Sequence, residues 1–343
     1  MLYELKKAQT PRLTVGYYHA GTPGKPKLMS IHGNCSSAVF YQPLMKRLED
    51  RFELVAPDLR CFGDTEPKPI DATRGMRDFS DDVDALAATL GWETFSLLGW
   101  SMGGGVVMQY AIDHSEKLET LILVAPQSPY GFGGTYGEDG KKLEPAGLAS
   151  GGGCANPQLI EALLKGDREF AAKTLDGVYV APPYQIDPAL KETFIDGLLS
   201  TRVGEGMYPG DKQAAAVWPF FAAGRDGVCN TMSPSWCDLS PLAEIPNRPP
   251  VLWIRGAGDI MVTDASMMDI VNLGKLGFVP GYPGEDVCPP QPMVSQTRYV
   301  LEKYKANGGA YEEVVIAGGH GPFLDNEDGF VAEFLRFFGA HRA

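Results

Sequence analysis

Residues 95–111 place a strand, a tight glycine turn and a helix in immediate succession, with a serine at the apex of the turn. Phe95-Ser-Leu-Leu-Gly99 is an apolar, strand-like run, and Val106, Val107, Tyr110 and Ala111 then fall on one side of a helical pattern. Between them stands Gly99-Trp100-Ser101-Met102-Gly103. A serine at so sharp a corner adopts strained backbone angles, and side chains at the flanking positions would clash, so both flanks are glycine. The spacing G-x-S-x-G alone arises by chance in a chain with 41 glycines. Its setting, strand before and helix after, is what marks Ser101 as a nucleophile. The turn lifts the hydroxyl clear of a sheet, and the helix behind it aims free N–H groups at an oxyanion formed there.

A serine hydroxyl attacks at neutral pH only when a base takes its proton. The chain has five histidines, at 19, 32, 114, 320 and 341. His19 lies in an N-terminal strand-like stretch, His114 ends the helix behind Ser101, and His341 is in the C-terminal tail. His32 belongs to an H-G pair after the strand Lys27–Ile31, where such pairs shape turns. His320 follows the β-rich run Glu313-Val-Val-Ile-Ala317 and two glycines, a loop placement from which an imidazole reaches the serine. The base in turn needs a carboxylate to orient it. Asp259 follows the buried strand Val251-Leu-Trp-Ile-Arg255 and completes the order Ser, Asp, His; Asp264 is a near competitor, and Asp325 lies past His320, out of order.

These residues resemble the α/β-hydrolase superfamily, in its serine-hydrolase (esterase- and lactonase-like) branch with a large cap. The matching pieces are His32-Gly33-Asn34, Asp58-Leu-Arg60 with Phe62-Gly63, Gly99-Trp-Ser-Met-Gly-Gly104, Gly256-Ala-Gly-Asp259 and Gly319-His320-Gly321. They run from about residue 27 to 340 and leave a long middle stretch unaccounted for. One departure is Cys61, which stands where family members commonly carry a loop glycine. The resemblance implies a mostly parallel central sheet flanked by helices, with a mainly helical cap inserted after the strand that follows the nucleophile helix. It also implies an oxyanion hole made from the backbone N–H of Met102 and that of Asn34, with Cys35 the near alternative. Cys35 as the attacking group is disfavoured by its place beside the H-G loop rather than at the elbow.

The activity the resemblance implies is hydrolysis of a carboxylic ester or lactone through an acyl-enzyme. Carbon–carbon bond hydrolases and perhydrolases run on the same triad, and some members of the superfamily serve as small-molecule receptors. Haloalkane dehalogenases and epoxide hydrolases fit poorly, because their nucleophile is an aspartate where this chain has Ser101.

The formal charge of −13 over 343 residues argues against nucleic acid and anionic membrane surfaces as partners. The expected partner is a small molecule; a homodimer is compatible with the composition and not specified by it. The six cysteines include no C-x-x-C pair, so neither a metal nor another cofactor is expected. The N-terminus lacks the apolar core of a signal peptide and no run is long enough to span a bilayer, which makes the cytoplasm the expected location.

Alternating strand and helix patterns predict a core from residues 1–126 and 249–343, with strands at 27–32, 53–57, 95–99, 119–125, 251–255 and 312–317. In the helix predicted over 78–90, Phe79, Val83, Leu86 and Leu90 share a face while Asp81, Asp82 and Asp84 point away. Residues 127–248 break the rhythm and read as the cap, with helices near 157–165, 167–177 and 188–200. Gly131-Phe-Gly-Gly-Thr-Tyr-Gly137 echoes a dinucleotide fingerprint but follows no free βα unit, and Ser150-Gly-Gly-Gly-Cys154 lacks the G-K-[ST] of a phosphate loop. The cap is rich in aromatic residues, so the expected pocket is aromatic-walled and apolar, with Trp100, Tyr130, Phe132 and Trp218 as substrate contacts.

Overall fold

The structure, a computed structural model, describes residues 2–341. Eight strands build one sheet: β1 (Lys6–Gln9), β2 (Thr14–Ala20), β3 (Lys27–Ile31), β4 (Glu53–Pro57), β5 (Phe95–Trp100), β6 (Leu118–Val124), β7 (Val251–Gly256) and β8 (Tyr311–Ile316). Their spatial order is β1-β2-β4-β3-β5-β6-β7-β8. From β3 to β8 every pairing is parallel, and only the hairpin β1–β2 and its join to β4 are antiparallel. Strands buried on both faces should read as unbroken apolar runs. In β5 only Ser96 interrupts such a run and every residue is buried, and Leu121–Val124 of β6 form one; both strands sit in the interior of the sheet.

Helices α1 (Gln42–Leu48), α2 (Arg77–Thr89) and α3 (Met102–His114) connect β3, β4, β5 and β6 in turn, and the helices Met293–Ala306 and Glu327–His341 flank β8 in the chain. In α2, Phe79, Val83 and Leu86 are buried as their spacing predicts. Asp82 departs from the prediction: it is 5% exposed, because its carboxylate takes two bonds from the Arg60 guanidinium, from Nε at 2.6 Å and from Nη2 at 2.7 Å. The fork-shaped match makes an inward aspartate tolerable and ties the loop after β4 to α2. In that loop Cys61 adopts φ 69°, a left-handed backbone that glycine takes without strain. The turn is kept although its usual residue is absent, with the thiol donating to the Lys68 carbonyl.

Between β6 and β7 no residue joins the central sheet. This insertion carries the helices Pro157–Lys165, Arg168–Thr174 and Pro188–Leu199 and two short ribbons. Asn156 and Asp187 cap the first and third helices, accepting from the N–H groups of Gln158 and Ala189, and each is followed by a proline that has no N–H to satisfy. The middle helix ends earlier than its pattern predicts. It opens at Leu175 into a wider π turn ending at Tyr179, and that turn delivers Tyr179 to the site. Among the described residues no helix is long and apolar enough to cross a membrane.

Candidate active site

The ends of β3, β5, β7 and β8 converge on one point. Ser101 directly follows β5 at φ 58°, ψ −121°, an arrangement that costs a non-glycine residue about 1–3 kcal/mol. Its neighbours explain why glycine surrounds it. A Cβ on Gly99 would strike the Gly103 carbonyl, one on Gly103 would strike the Ile31 and His32 carbonyls, and one on Gly33 would lie 2.9 Å from Ser101 Cβ. The H-G loop after β3 therefore packs straight against the elbow. That contact brings Asn34 beside Ser101 and Met102, and all three line one cavity.

His320 and Asp259 meet at the far side. Asp259 Oδ2 is 2.9 Å from His320 Nδ1, while its Oδ1 accepts from the N–H groups of Met261 (2.7 Å) and Val262 (3.1 Å). With Nδ1–H donated to the carboxylate, Nε2 carries the free lone pair. His320 is 1% exposed, and among the described residues its Nε2 has no hydrogen-bond partner. Ser101 Oγ makes no bond to it here; catalytic hydrogen bonds of this kind are commonly long before substrate binds. Asp264 is occupied elsewhere: its carboxylate accepts from the N–H and hydroxyl of Ser295, at the start of the helix Met293–Ala306. Asp325 supports the histidine loop by accepting from Gly319 N–H (2.6 Å) and from Ala181 N–H in the insertion (3.1 Å).

The oxyanion donors assigned by resemblance sit together. Met102 opens α3, so its N–H has no partner within the helix. Cys35 N–H is committed to Asn34 Oδ1 at 3.1 Å, which disfavours it as the alternative to Asn34. As an attacking group Cys35 is also unsuited, since burial pushes its thiol up to about 11. Tyr179 pins this loop from above, its hydroxyl lying 3.1 Å and 2.9 Å from the carbonyl oxygens of Asn34 and Cys35. Its own carbonyl accepts from Gly321 N–H at 2.8 Å. One residue of the insertion thus holds both the oxyanion loop and the histidine loop. Tyr179 was visible in the sequence only as one cap aromatic among many.

Of the four residues expected to contact substrate, only Phe132 lines the cavity. Trp100 is 1% exposed, and its Nε1–H donates to the His320 carbonyl at 2.8 Å. It faces the core from the last position of β5 and braces the histidine loop. Trp218 stacks edge-on against Tyr282 in a satellite cluster and donates to the Pro280 carbonyl. Tyr130 is part-buried outside the cavity. The wall is also less aromatic than expected. Methionines 102, 232, 261 and 268 dominate it, with Leu159, Cys154 and Cys229, around a volume of about 170 Å3. The bulky rings were recruited to packing, and flexible thioethers fill the irregular space left over. Gly151 and Cys154 of the triple-glycine run form a 3-10 turn on this wall.

His32 is a structural group. Its Nδ1–H donates to the Gly33 carbonyl (2.8 Å) and its Nε2 accepts from Leu59 N–H (2.9 Å), so both nitrogens are used. Complete burial lowers its pKa to about 4. The unfolded chain takes up a proton near pH 6.5, which folded His32 refuses until about pH 4. Its contribution, about 3 kcal/mol above pH 6.5, therefore fades as pH falls toward 4. Asp58 runs oppositely, its carboxyl raised to about 6 by burial, so comparison with a His32 variant isolates the effect. Between pH 7 and 4.5, denaturant unfolding of wild type should lose about 2–3 kcal/mol more than His32→Gln does. Matching losses would refute this assignment.

Fold and site together define an α/β-sheet protein with a nucleophile elbow. The sequence matches the alpha/beta hydrolase family over residues 30–333, and the chain belongs to that family. Among solved structures, the enol-lactonase from Burkholderia xenovorans LB400 superposes with a TM-score of 0.61 at 15% identity, covering 97% of this chain and 100% of that one. Carboxylesterase CesB (YbfK) from Bacillus subtilis does so at 0.57 and 15%, covering 98% and 92%. At such identities the likeness is one of fold. A soluble epoxide hydrolase from Corynebacterium sp. (strain C12) is 32% identical over 108 residues, 32% of this chain and 36% of that one. The chain spans about a third of the length of the curated relatives it matches first.

Proposed function

We propose that the protein is a serine hydrolase that cleaves a carboxylic ester or lactone of a mid-sized, largely apolar compound. The observation that carries this is the buried Asp259–His320 pair, whose Nε2 has no partner among the described residues, on a loop whose His320 carbonyl accepts from Trp100, the residue next to a serine held in strained geometry. In this mechanism Ser101 Oγ attacks the carbonyl carbon as its proton passes to His320 Nε2. The N–H groups of Met102 and Asn34 receive the oxyanion, each donor worth about 3 kcal/mol of transition-state stabilisation. His320 then protonates the leaving oxygen, and water, activated by the same nitrogen, releases the acyl group. Asp259 keeps Nδ1 protonated and steadies the imidazolium. Residues 127–248 act as the cap, supplying Phe132, Leu159, Tyr208 and Met232 to the cavity. A cavity of about 150 Å3 accommodates benzene, so about 170 Å3 suits a ring or short branched chain.

Labelling with a fluorophosphonate followed by peptide mapping tests the assignment. Label should appear on Ser101 alone, and p-nitrophenyl esters should turn over many times per site. Label on another residue, or none where a control esterase reacts, would sink it; a single cycle per binding event would instead indicate a receptor.

A further inference from the structure

The two oxyanion donors are held by different means. Met102 opens α3 and is fixed by the helix behind it, whereas Asn34 and Cys35 form a turn after β3. Cys35 stands at φ 47°, a left-handed conformation that a non-glycine residue keeps only where its surroundings impose it. Gly33, just before, gives the peptide carrying the Asn34 N–H wide freedom to turn, so that peptide must be steadied from its far side. Tyr179 acts there. Its one O–H proton is shared between the Asn34 and Cys35 carbonyls, at 3.1 Å and 2.9 Å. The phenol is itself firmly held: it is 4% exposed, edge-on to Trp100 at 5.3 Å and tilted against Phe40 at 6.1 Å. Burial raises it well above its usual pKa, so it stays a donor at neutral pH. The main chain beyond it is wedged against the histidine loop, where a Cβ on Gly319 would lie 2.7 Å from the Ala181 nitrogen. The labour is divided: the Tyr179 side chain serves the oxyanion loop, and the main chain of residues 179–181 serves the histidine loop through Gly321 and Asp325.

Misplacing a catalytic group by about 1 Å costs on the order of a hundredfold in rate. We infer that Tyr179 is a positioning residue for the Ser101 reaction: its hydroxyl, supplied by the insertion, sets the Asn34 N–H where the oxyanion forms. This rests on the serine-hydrolase reading of the site, with Asn34 as an oxyanion donor. It gives the insertion a part in transition-state stabilisation as well as in walling the cavity.

Tyr179→Phe keeps the ring and the main-chain bond to Gly321 and deletes only the hydroxyl. It should lower kcat for p-nitrophenyl butyrate by about 10- to 100-fold, with KM within about threefold. Affinity for trifluoromethyl propyl ketone, which adds to Ser101 Oγ and places an oxyanion in the hole, should fall by a similar factor. Affinity for methyl propyl ketone, bound without that addition, should hold. The pH profile of kcat/KM should drop without shifting, since the Asp259–His320 pair and the Gly321 bond are untouched. Tyr304→Phe is the control. It deletes a buried hydroxyl bonded to the Pro249 carbonyl, at the opposite end of β7 from Asp259, so it should cost stability and leave these readings alone. Rates are counted per serine labelled by fluorophosphonate, which keeps unfolded molecules out of them. 4-Aminophenylalanine at position 179, a weaker donor, should fall between wild type and Tyr179→Phe, and it carries the test alone if the latter does not fold. Wild-type kcat and ketone discrimination in a labelled variant would overturn this inference alone, as would parallel loss of affinity for both ketones or a shifted pH profile. No label on Ser101 in the wild type would defeat the hydrolase proposal and this inference with it.

Discussion

Ser101→Ala should lower kcat for p-nitrophenyl butyrate by on the order of 10^5- to 10^6-fold, and adding His320→Ala should cost almost nothing more. The non-additivity is the diagnostic part. A base that only takes a proton from Ser101 Oγ has no task once that oxygen is gone, so the double variant should match the single ones. Independent contributions would instead multiply. Folded stability separates loss of chemistry from loss of structure. Ser101 holds φ 58° and ψ −121°, a region that suits glycine. Ser101→Gly should therefore be as inactive as Ser101→Ala yet more resistant to denaturant by about 1 kcal/mol. Steady-state kinetics and urea titrations on wild type and these variants read both effects. Residual turnover within about a hundredfold of wild type in Ser101→Ala would place the nucleophile elsewhere.

The parts legible in the sequence are those where local pattern and tertiary demand agree. Mostly apolar runs located the parallel strands, because strands covered on both faces favour apolar side chains. Chemistry at their carboxyl ends followed, since Ser101, Asp259 and His320 each stand just past such a run. What escaped depends on who meets whom across the chain. Asp82 reads as solvent-facing until Arg60 arrives from another loop to pair with it. Trp100 reads as a wall of the pocket because it adjoins Ser101, but alternation along β5 turns it to the opposite face, onto the His320 carbonyl. Tyr179 and Trp218 are both cap aromatics by composition. One pins the oxyanion loop and the other fills a remote cluster, and no local signal separates them. The methionines of the cavity come from before, within and after the insertion, so their convergence is a property of the assembled fold.

Asp259→Asn should reduce kcat by on the order of 10^4-fold while leaving the fold intact. The geometry dictates the mechanism of that loss. Oδ1 is held by the N–H groups of Met261 and Val262, so the asparagine must keep its carbonyl oxygen there and turn its amide nitrogen toward His320 Nδ1. A donor facing Nδ1 forces that nitrogen to accept, and the ring proton moves to Nε2. The nitrogen that should take the Ser101 proton is then already protonated. Asp264→Asn is the matched control, removing one negative charge a few residues away. Its carboxylate serves Ser295, so kcat should stay within about threefold while the helix Met293–Ala306 loses up to about 1 kcal/mol of capping. Single-turnover kinetics with thermal melts on both variants reads the difference. If Asp264→Asn were the crippled enzyme and Asp259→Asn the active one, the orienting carboxylate would have to be reassigned. Retained activity in both would mean that His320 needs no such partner, and that the buried pair serves the loop rather than the reaction.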